Sequence, residues 1–156
     1  MIVLIGILVV VFDQLSKILF SHILPLDKTI PVIKNFFHLT LIHNTGIAFG
    51  VLKGSSKTIL IVTIIGLGLI IYSLKKDFLT FKHSLSPKTL FIRKMAIGFI
   101  IGGAVGNMID RLRLGYVVDF LDFRIWPVFN LADSFITIGA VILFWNLFIC
   151  DKLSKT

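Results

Sequence analysis

Gly102-Gly-Ala-Val-Gly-Asn-Met-Ile-Asp110-Arg111, followed by Val117-Val-Asp-Phe-Leu-Asp122 and Phe129-Asn-Leu-Ala-Asp133, is the stretch on which the fold turns. All eight acidic residues of the chain are aspartates. Four of them, Asp110, Asp119, Asp122 and Asp133, fall in this window between two strongly apolar segments. An ionisable group placed inside a bilayer costs about 2.5–3.5 kcal/mol on insertion scales, so carboxylates gathered at a membrane edge mark a site. The rest of the chain reads as the frame that holds them.

That frame is a membrane. Hydrophobic residues make up 56% of the 156 positions and the mean hydropathy is +0.99, far from the balance of a water-soluble domain. The formal charge of +8 does not point to nucleic acid, because the basic residues lie between apolar runs and form no patch with interleaved aromatics. Membrane topology accounts for it more simply. The single cysteine, Cys150, closes the last apolar run and allows neither an intramolecular disulfide nor a thiolate metal cluster.

Working outward, four runs approach the roughly 20 residues needed to cross about 30 Å of hydrocarbon: near 1–20, 58–74, 90–110 and 133–149. The first carries Asp13 and Lys17 and has no basic leader or small-residue cleavage site, so it reads as a retained helix, not a signal peptide. The expected class is therefore all-α integral membrane, one unit over 1–156. The link between the second and third runs holds Lys75, Lys76, Lys82, Lys88, Arg93 and Lys94 against Asp77 alone, and Lys152 and Lys155 follow the fourth. The positive-inside rule puts those ends in the cytoplasm, and with them both termini. The connections 21–57 and 111–132 then share the outer face. Within the first, Phe37-His-Leu-Thr-Leu-Ile-His43 alternates at period two, which predicts a small strand pair lying on the membrane, running into a turn-rich Asn44-Thr-Gly-Ile-Ala-Phe-Gly50.

Asp13 and Lys17 stand i, i+4 in the favourable order and are expected to pair structurally. Gly98, Gly102 and Gly106 form a smooth ridge for helix packing. Asn107, Asp110 and Arg111, at i, i+3, i+4, share one helical face; they make either an interfacial charge pair or a set of charge-assisted hydrogen bonds to a substrate backbone. Asn130 with Asp133 three residues on matches a capping box, where the helix dipole favours a charged carboxylate. Asp119, between Val117-Val118 and Phe120-Leu121, is expected to be desolvated with a raised pKa. One ionised and one protonated carboxylate is what acid–base chemistry needs, although spacing alone does not bring Asp119 and Asp133 together. No His-Glu-x-x-His, Gly-x-Ser-x-Gly or phosphate loop occurs, and His22, His38, His43 and His83 share no ligand spacing and read as surface residues. A hydrolase built from what remains uses aspartate-activated water, with no metal and no cofactor. The competing class is a small ion- or proton-coupled transporter subunit, which would place paired carboxylates near the bilayer midplane.

Taken in order, Asp13-Gln-Leu-Ser-Lys17, Asn44-Thr-Gly-Ile-Ala-Phe-Gly50, the 102–111 stretch, Val117-Val-Asp-Phe-Leu-Asp122 and Phe129-Asn-Leu-Ala-Asp133 resemble the bacterial lipoprotein signal peptidases, the signal peptidase II family. The resemblance implies a monomeric four-helix inner-membrane aspartic protease with a small extracytoplasmic β platform. Its partners would be membrane lipid and a prolipoprotein bearing a diacylglyceryl group on the lipobox cysteine, cut just before that cysteine. By motif position, the catalytic aspartates fall on Asp119 and Asp133, the substrate-binding polar residues on Asn44, Asn107, Arg111 and Asn130, and the supporting positions on Asp13, Lys17 and Asp110.

Overall fold

The computed structural model describes residues 1–46, 54–80 and 86–153, with side chains described except at 74–80 and 147–153. The second half of the 44–50 turn, His83 and the side chain of Cys150 lie outside that set. Four helices occur where the apolar runs predict them, and each runs longer: α1 (Ile2–Ile23), α2 (Ser56–Thr80), α3 (Pro87–Leu114) and α4 (Leu131–Leu153). Among the described residues three of them, over Ile2–Ile23, Ser56–Ser73 and Pro87–Leu114, are long and apolar enough to cross a membrane, and α4 is apolar over Leu131–Asn146.

The extensions have local causes. Ser86 accepts from Thr89 N–H at 3.2 Å and Pro87 occupies the first turn, where a missing N–H costs nothing. At the far end α3 continues beyond Asp110 until Gly115, whose left-handed φ of 80° closes the helix with an N–H to the Arg111 carbonyl. Arg111 therefore belongs to the helix and not to the connection expected over 111–132. Similarly, α4 begins two residues before the expected start, which puts Asp133 in its first turn.

Helix α3 is the spine, with α1 on one side and α4 on the other, while α2 touches mainly α3. Close approach is built from small residues. A Cβ at Gly98 would lie 2.8 Å from the Ile5 side chain, and one at Gly102 would lie 2.8 Å from the Gly6 carbonyl. On the opposite side Gly103 faces the Ala132 carbonyl, and a Cβ at Gly139 would lie 2.6 Å from the Ala96 carbonyl. Lipid tails are as apolar as leucine, so tight backbone packing replaces the hydrophobic drive between helices.

The sheet is larger than the strand pair expected. Strands β1 (Thr29–Ile33), β2 (Phe37–Asn44) and β3 (Val117–Asp122) pair antiparallel in the order β1-β2-β3. Its edge strand β1 is fully exposed and contains Pro31, a residue that donates no ladder hydrogen bond and so suits an edge. In the β2–β3 ladder Ile42 faces Asp119 and Asn44 faces Val117, with an irregularity between Leu39 and Ile42. Leu41, Val118 and Phe120 form a core with Leu24, and the Phe120 ring stacks on Phe20 of α1 at 4.3 Å between centroids. That contact fixes the sheet to the end of α1, while Val118 N–H donating to Asp110 ties β3 to the end of α3.

Candidate functional site

Five elements deliver polar side chains to one point beneath the sheet: Asp13, Gln14 and Lys17 from α1, Asn107, Asp110 and Arg111 from α3, Asn44 from β2, Asp119 from β3, and Asn130 with Asp133 at the head of α4. Asp119 is 1% exposed and Asn130 fully buried. Burial at this level requires that every polar atom find a partner.

Most do. Asp119 Oδ2 accepts from Asn44 Nδ2 at 2.8 Å, and its Oδ1 from Asn130 Nδ2 at 2.6 Å. Asp133 Oδ1 accepts from Asn107 Nδ2 at 2.8 Å. The capping box predicted from spacing is present: Asp133 N–H donates to Asn130 Oδ1 at 2.9 Å and Asn130 N–H reaches Asp133 Oδ2 at 3.4 Å. Asn130 thus serves both carboxylates, one through its amide group and the other through its backbone. Its amide also donates to Asn107 Oδ1 at 3.1 Å and to the Val118 carbonyl at 3.3 Å.

Beneath this layer lies an ionic one. Lys17 Nζ contacts Asp13 Oδ2 at 2.8 Å, Asp110 Oδ2 at 2.9 Å and Asn107 Oδ1 at 2.9 Å, which occupies its three N–H donors. The Asp13–Lys17 pair is the one expected. Of the two alternatives left open for Asp110, the charge pair with Arg111 is not formed: its ion pair is with Lys17, and its Oδ2 also accepts from Val118 N–H at 3.1 Å. Asp13 Oδ1 holds the Ala132 N–H at 2.9 Å, so α1 caps the first turn of α4. Gln14 joins Asp13, the Gly106 carbonyl and Asp110. Sequence reasoning passed over Gln14; an uncharged polar residue inside an apolar helix was the available signal. Gly106 is more than part of the packing ridge, since a Cβ there would lie 2.5 Å from Asp13 Oδ2.

Arg111 donates to the Gly46 carbonyl at 3.1 Å, while its buried Nε has no hydrogen-bond partner. The histidines are less uniform than expected: His43 is exposed and stacks on Tyr116 at 3.9 Å, whereas both ring nitrogens of His38 are buried and unpartnered.

Burial pushes the Asp119 carboxyl up to about 7, helped by the negative charge of Asp133 and opposed by the amides of Asn44 and Asn130 and by Lys17. Asp122, on the same strand, goes the other way. Its burial raises the pKa, but the Thr40 hydroxyl at 2.8 Å and Arg124 outweigh that and hold it below the usual range. Two carboxylates three residues apart on one strand are thus set to different tasks by their partners.

Beside Asp133 opens a cavity of about 510 Å³, walled by Phe36, Phe123, Ile125, Phe129 and Ile138, with Thr137. Among the described residues no three histidine, cysteine or acidic side chains come together in a manner suited to a metal ion.

A membrane-embedded helical protein with one buried and one half-buried carboxylate, Asp119 and Asp133, joined through Asn130 under a small sheet, next to an apolar cavity, has the makings of an intramembrane hydrolase. The chain belongs to the signal peptidase II family, whose description, Signal peptidase (SPase) II, matches residues 5–149. It is 41% identical to the lipoprotein signal peptidase of Halothermothrix orenii over 154 residues, covering 98% of this chain and 99% of that protein. Identity to the lipoprotein signal peptidase of Caldanaerobacter subterraneus subsp. tengcongensis is 46% over 136 residues, 86% and 87% of the two chains. Among solved structures, a bacterial membrane enzyme determined by the in meso method at 2.3 Å resolution superposes with a TM-score of 0.82 at 34% identity, over 99% of this chain and 91% of that one. The chain is accordingly a membrane peptidase, and nothing favours the transporter alternative.

Proposed function

We propose that this peptidase removes the signal peptide from prolipoproteins carrying a diacylglyceryl-cysteine, cutting just before that cysteine, with Asp119 and Asp133 as its catalytic pair. Membership in the signal peptidase II family and likeness to lipoprotein signal peptidases support the substrate. A single observation carries the catalytic assignment: two carboxylates from separate elements are bound by one residue, Asn130, and the charge of Asp133 helps hold the Asp119 proton.

Two close carboxylates do not both ionise cheaply, so the pair holds one proton in this reading, and we assign it to Asp119, whose carboxyl burial pushes up to about 7. Asp133, at the positive end of the α4 dipole, is the base. It takes a proton from a water as the hydroxide adds to the scissile carbonyl carbon, while Asp119 donates its proton to the carbonyl oxygen. In the second step the proton on Asp133 passes to the departing nitrogen as the C–N bond breaks, and the gem-diol returns a proton to Asp119. Arg111, Asn44 and Asn107 position the peptide, with Asp13, Lys17 and Asp110 supporting them. The apolar cavity beside Asp133 takes the apolar part of the substrate, with lipid as its continuation. The full arrangement is one unit over 1–156 with four spans, α4 completing the set, both termini in the cytoplasm, the site at the outer face, and a monomer as the working form.

The assay is a gel shift on diacylglyceryl-modified prolipoprotein in detergent micelles, with EDTA in a parallel lane. Wild type is expected to cleave in both lanes. Asp119→Asn and Asp133→Asn are each expected to lose roughly 10³-fold or more while inserting and folding normally. Substantial turnover by either variant would remove the aspartic mechanism.

A further inference from the structure

Lys17 is 3% exposed on a membrane helix, and its three contacts, to Asp13, Asp110 and Asn107, stop one residue short of the catalytic pair. A buried lysine tolerates that position only with full compensation, and the cluster supplies two carboxylates. Two acceptors would neutralise it; its third N–H goes instead to Asn107 Oδ1 at 2.9 Å. That bond has a directional consequence. An ammonium only donates, so the atom facing it must be the amide oxygen of Asn107, and the amide nitrogen is thereby turned toward Asp133 Oδ1, 2.8 Å away. The Asn130 amide enforces the same orientation, since it too donates to Asn107 Oδ1, and it continues to Asp119 Oδ1 at 2.6 Å. One cation at the base of the site thus sets the hydrogen-bond polarity up to both carboxylates.

We propose that Lys17 is a positioning residue of the proteolytic site: it fixes the Asn107 amide in the orientation that donates to Asp133 and places a buried positive charge beneath the Asp119–Asp133 pair. The inference rests on the catalytic reading of that pair. The groups facing the pair are, by element, Lys17 and Asp13 on α1, Asn44 on β2, Asn107, Asp110 and Arg111 on α3, and Asn130 at the head of α4. Lys17 lowers the affinity of Asp119 for the proton, and Arg111 is a second cation coupled by charge to Asp119 and Asp133. Asp13, although ion-paired to Lys17, is not among the groups that shift Asp119. Removing Lys17 and Asp13 charges together therefore leaves the cluster's net charge unchanged yet still takes from the pair the countercharge beneath it, with Arg111 left in place.

The test is the pH profile of prolipoprotein cleavage between about pH 5 and 9, for wild type, Lys17→Met and the neutral pair Lys17→Met/Asp13→Asn. Asp119 must keep its proton to act as the acid, so activity falls as pH rises through the pair's upper pKa, and without Lys17 that fall moves to higher pH by roughly one unit. At neutral pH both variants are expected to lose about 10–100-fold in kcat with a smaller change in KM. A packing role alone would lower activity at every pH in proportion and leave the limb in place, and that outcome overturns the proposal. If Lys17→Met does not accumulate as folded protein, the neutral pair decides alone. Asp119→Asn and Asp133→Asn run beside them: activity in these defeats the catalytic reading itself, whereas their inactivity with an unmoved Lys17→Met profile defeats only the role of Lys17.

Discussion

The same two helices, α1 and α3, meet in two different ways along their length. Toward one end they touch through Gly6, Gly98 and Gly102, backbone against backbone, with Val9 and Ile5 filling the flanks. One turn further on they are joined by Lys17, Asp13, Gln14, Asn107 and Asp110 in a network of ion pairs and hydrogen bonds. The glycine seam depends on dispersion and shape, the polar seam on exact pairing of donors with acceptors. Gly106 sits where one becomes the other: it is spaced as a packing glycine, yet the room it leaves is taken by the Asp13 carboxylate. Small residues here do more than let helices approach. They leave the volume in which a buried charge cluster is assembled, and the cluster in turn holds the Asn107 amide against Asp133.

Gly102→Leu strikes the apolar seam hardest. The added Cβ alone would lie 2.7 Å from the Val9 side chain and 2.8 Å from the Gly6 carbonyl, and backbone cannot swing aside as a side chain can. The expected outcome is a fall in Tm of roughly 10 °C or more, or no folded protein at all, by thermal unfolding in detergent. A change within about 2 °C would mean that α1 and α3 are held by the polar seam alone.

The polar side of the comparison is sharpened by pH. The folded protein keeps the Asp119 proton up to about 7, whereas an unfolded chain releases it near about 4. A raised carboxyl pKa therefore lowers stability as pH rises across that interval, and the loss is complete above the folded value. Asp119→Asn does not titrate, so its Tm relative to wild type is expected to improve between pH 5 and pH 8.5 by roughly 5 °C. Parallel Tm curves for the two proteins would show that Asp119 is not held protonated by its surroundings.

The smallest effect is expected where charges pair in the open. Arg124 contacts Asp122 at 3.1 Å, but its side chain is 49% exposed, and exposed ion pairs contribute about 0–1 kcal/mol. Arg124→Ala is expected to shift Tm by less than roughly 2–3 °C, with Thr40 still donating to the Asp122 carboxylate. A larger drop would mean that the sheet edge depends on this pair as strongly as the helices depend on Lys17.

The helices could be read directly, because a run of apolar residues near bilayer length has no other stable use, and the i, i+4 spacing of Asp13 and Lys17 or the i, i+3 spacing of Asn130 and Asp133 decides a contact within a single turn. The third strand could not. Val117–Asp122 pairs with a strand more than seventy residues earlier, and a segment this short is helix, strand or loop according to what it packs on. Edge strand β1 was hidden by Pro31 for a related reason, since the residue that makes it a good edge makes it a poor strand on paper.

What the amino-acid order determined by itself was local and periodic: the membrane class, the helix positions, the capping box, the glycine ridge, and the oddity of so many aspartates at one edge. Only tertiary structure decided which of those aspartates share a site. Asp110 is drawn to Lys17 across two helices instead of to its neighbour Arg111, and Asp119 faces the Asn130 amide because β3 is pinned to α1 through Phe20 and Phe120. Asp122 is turned to Thr40 three residues further along the same strand. The physical reason is that a carboxylate's task is set by its burial and its partners, and both are properties of the neighbours that folding brings, not of the residues that precede and follow it in the chain.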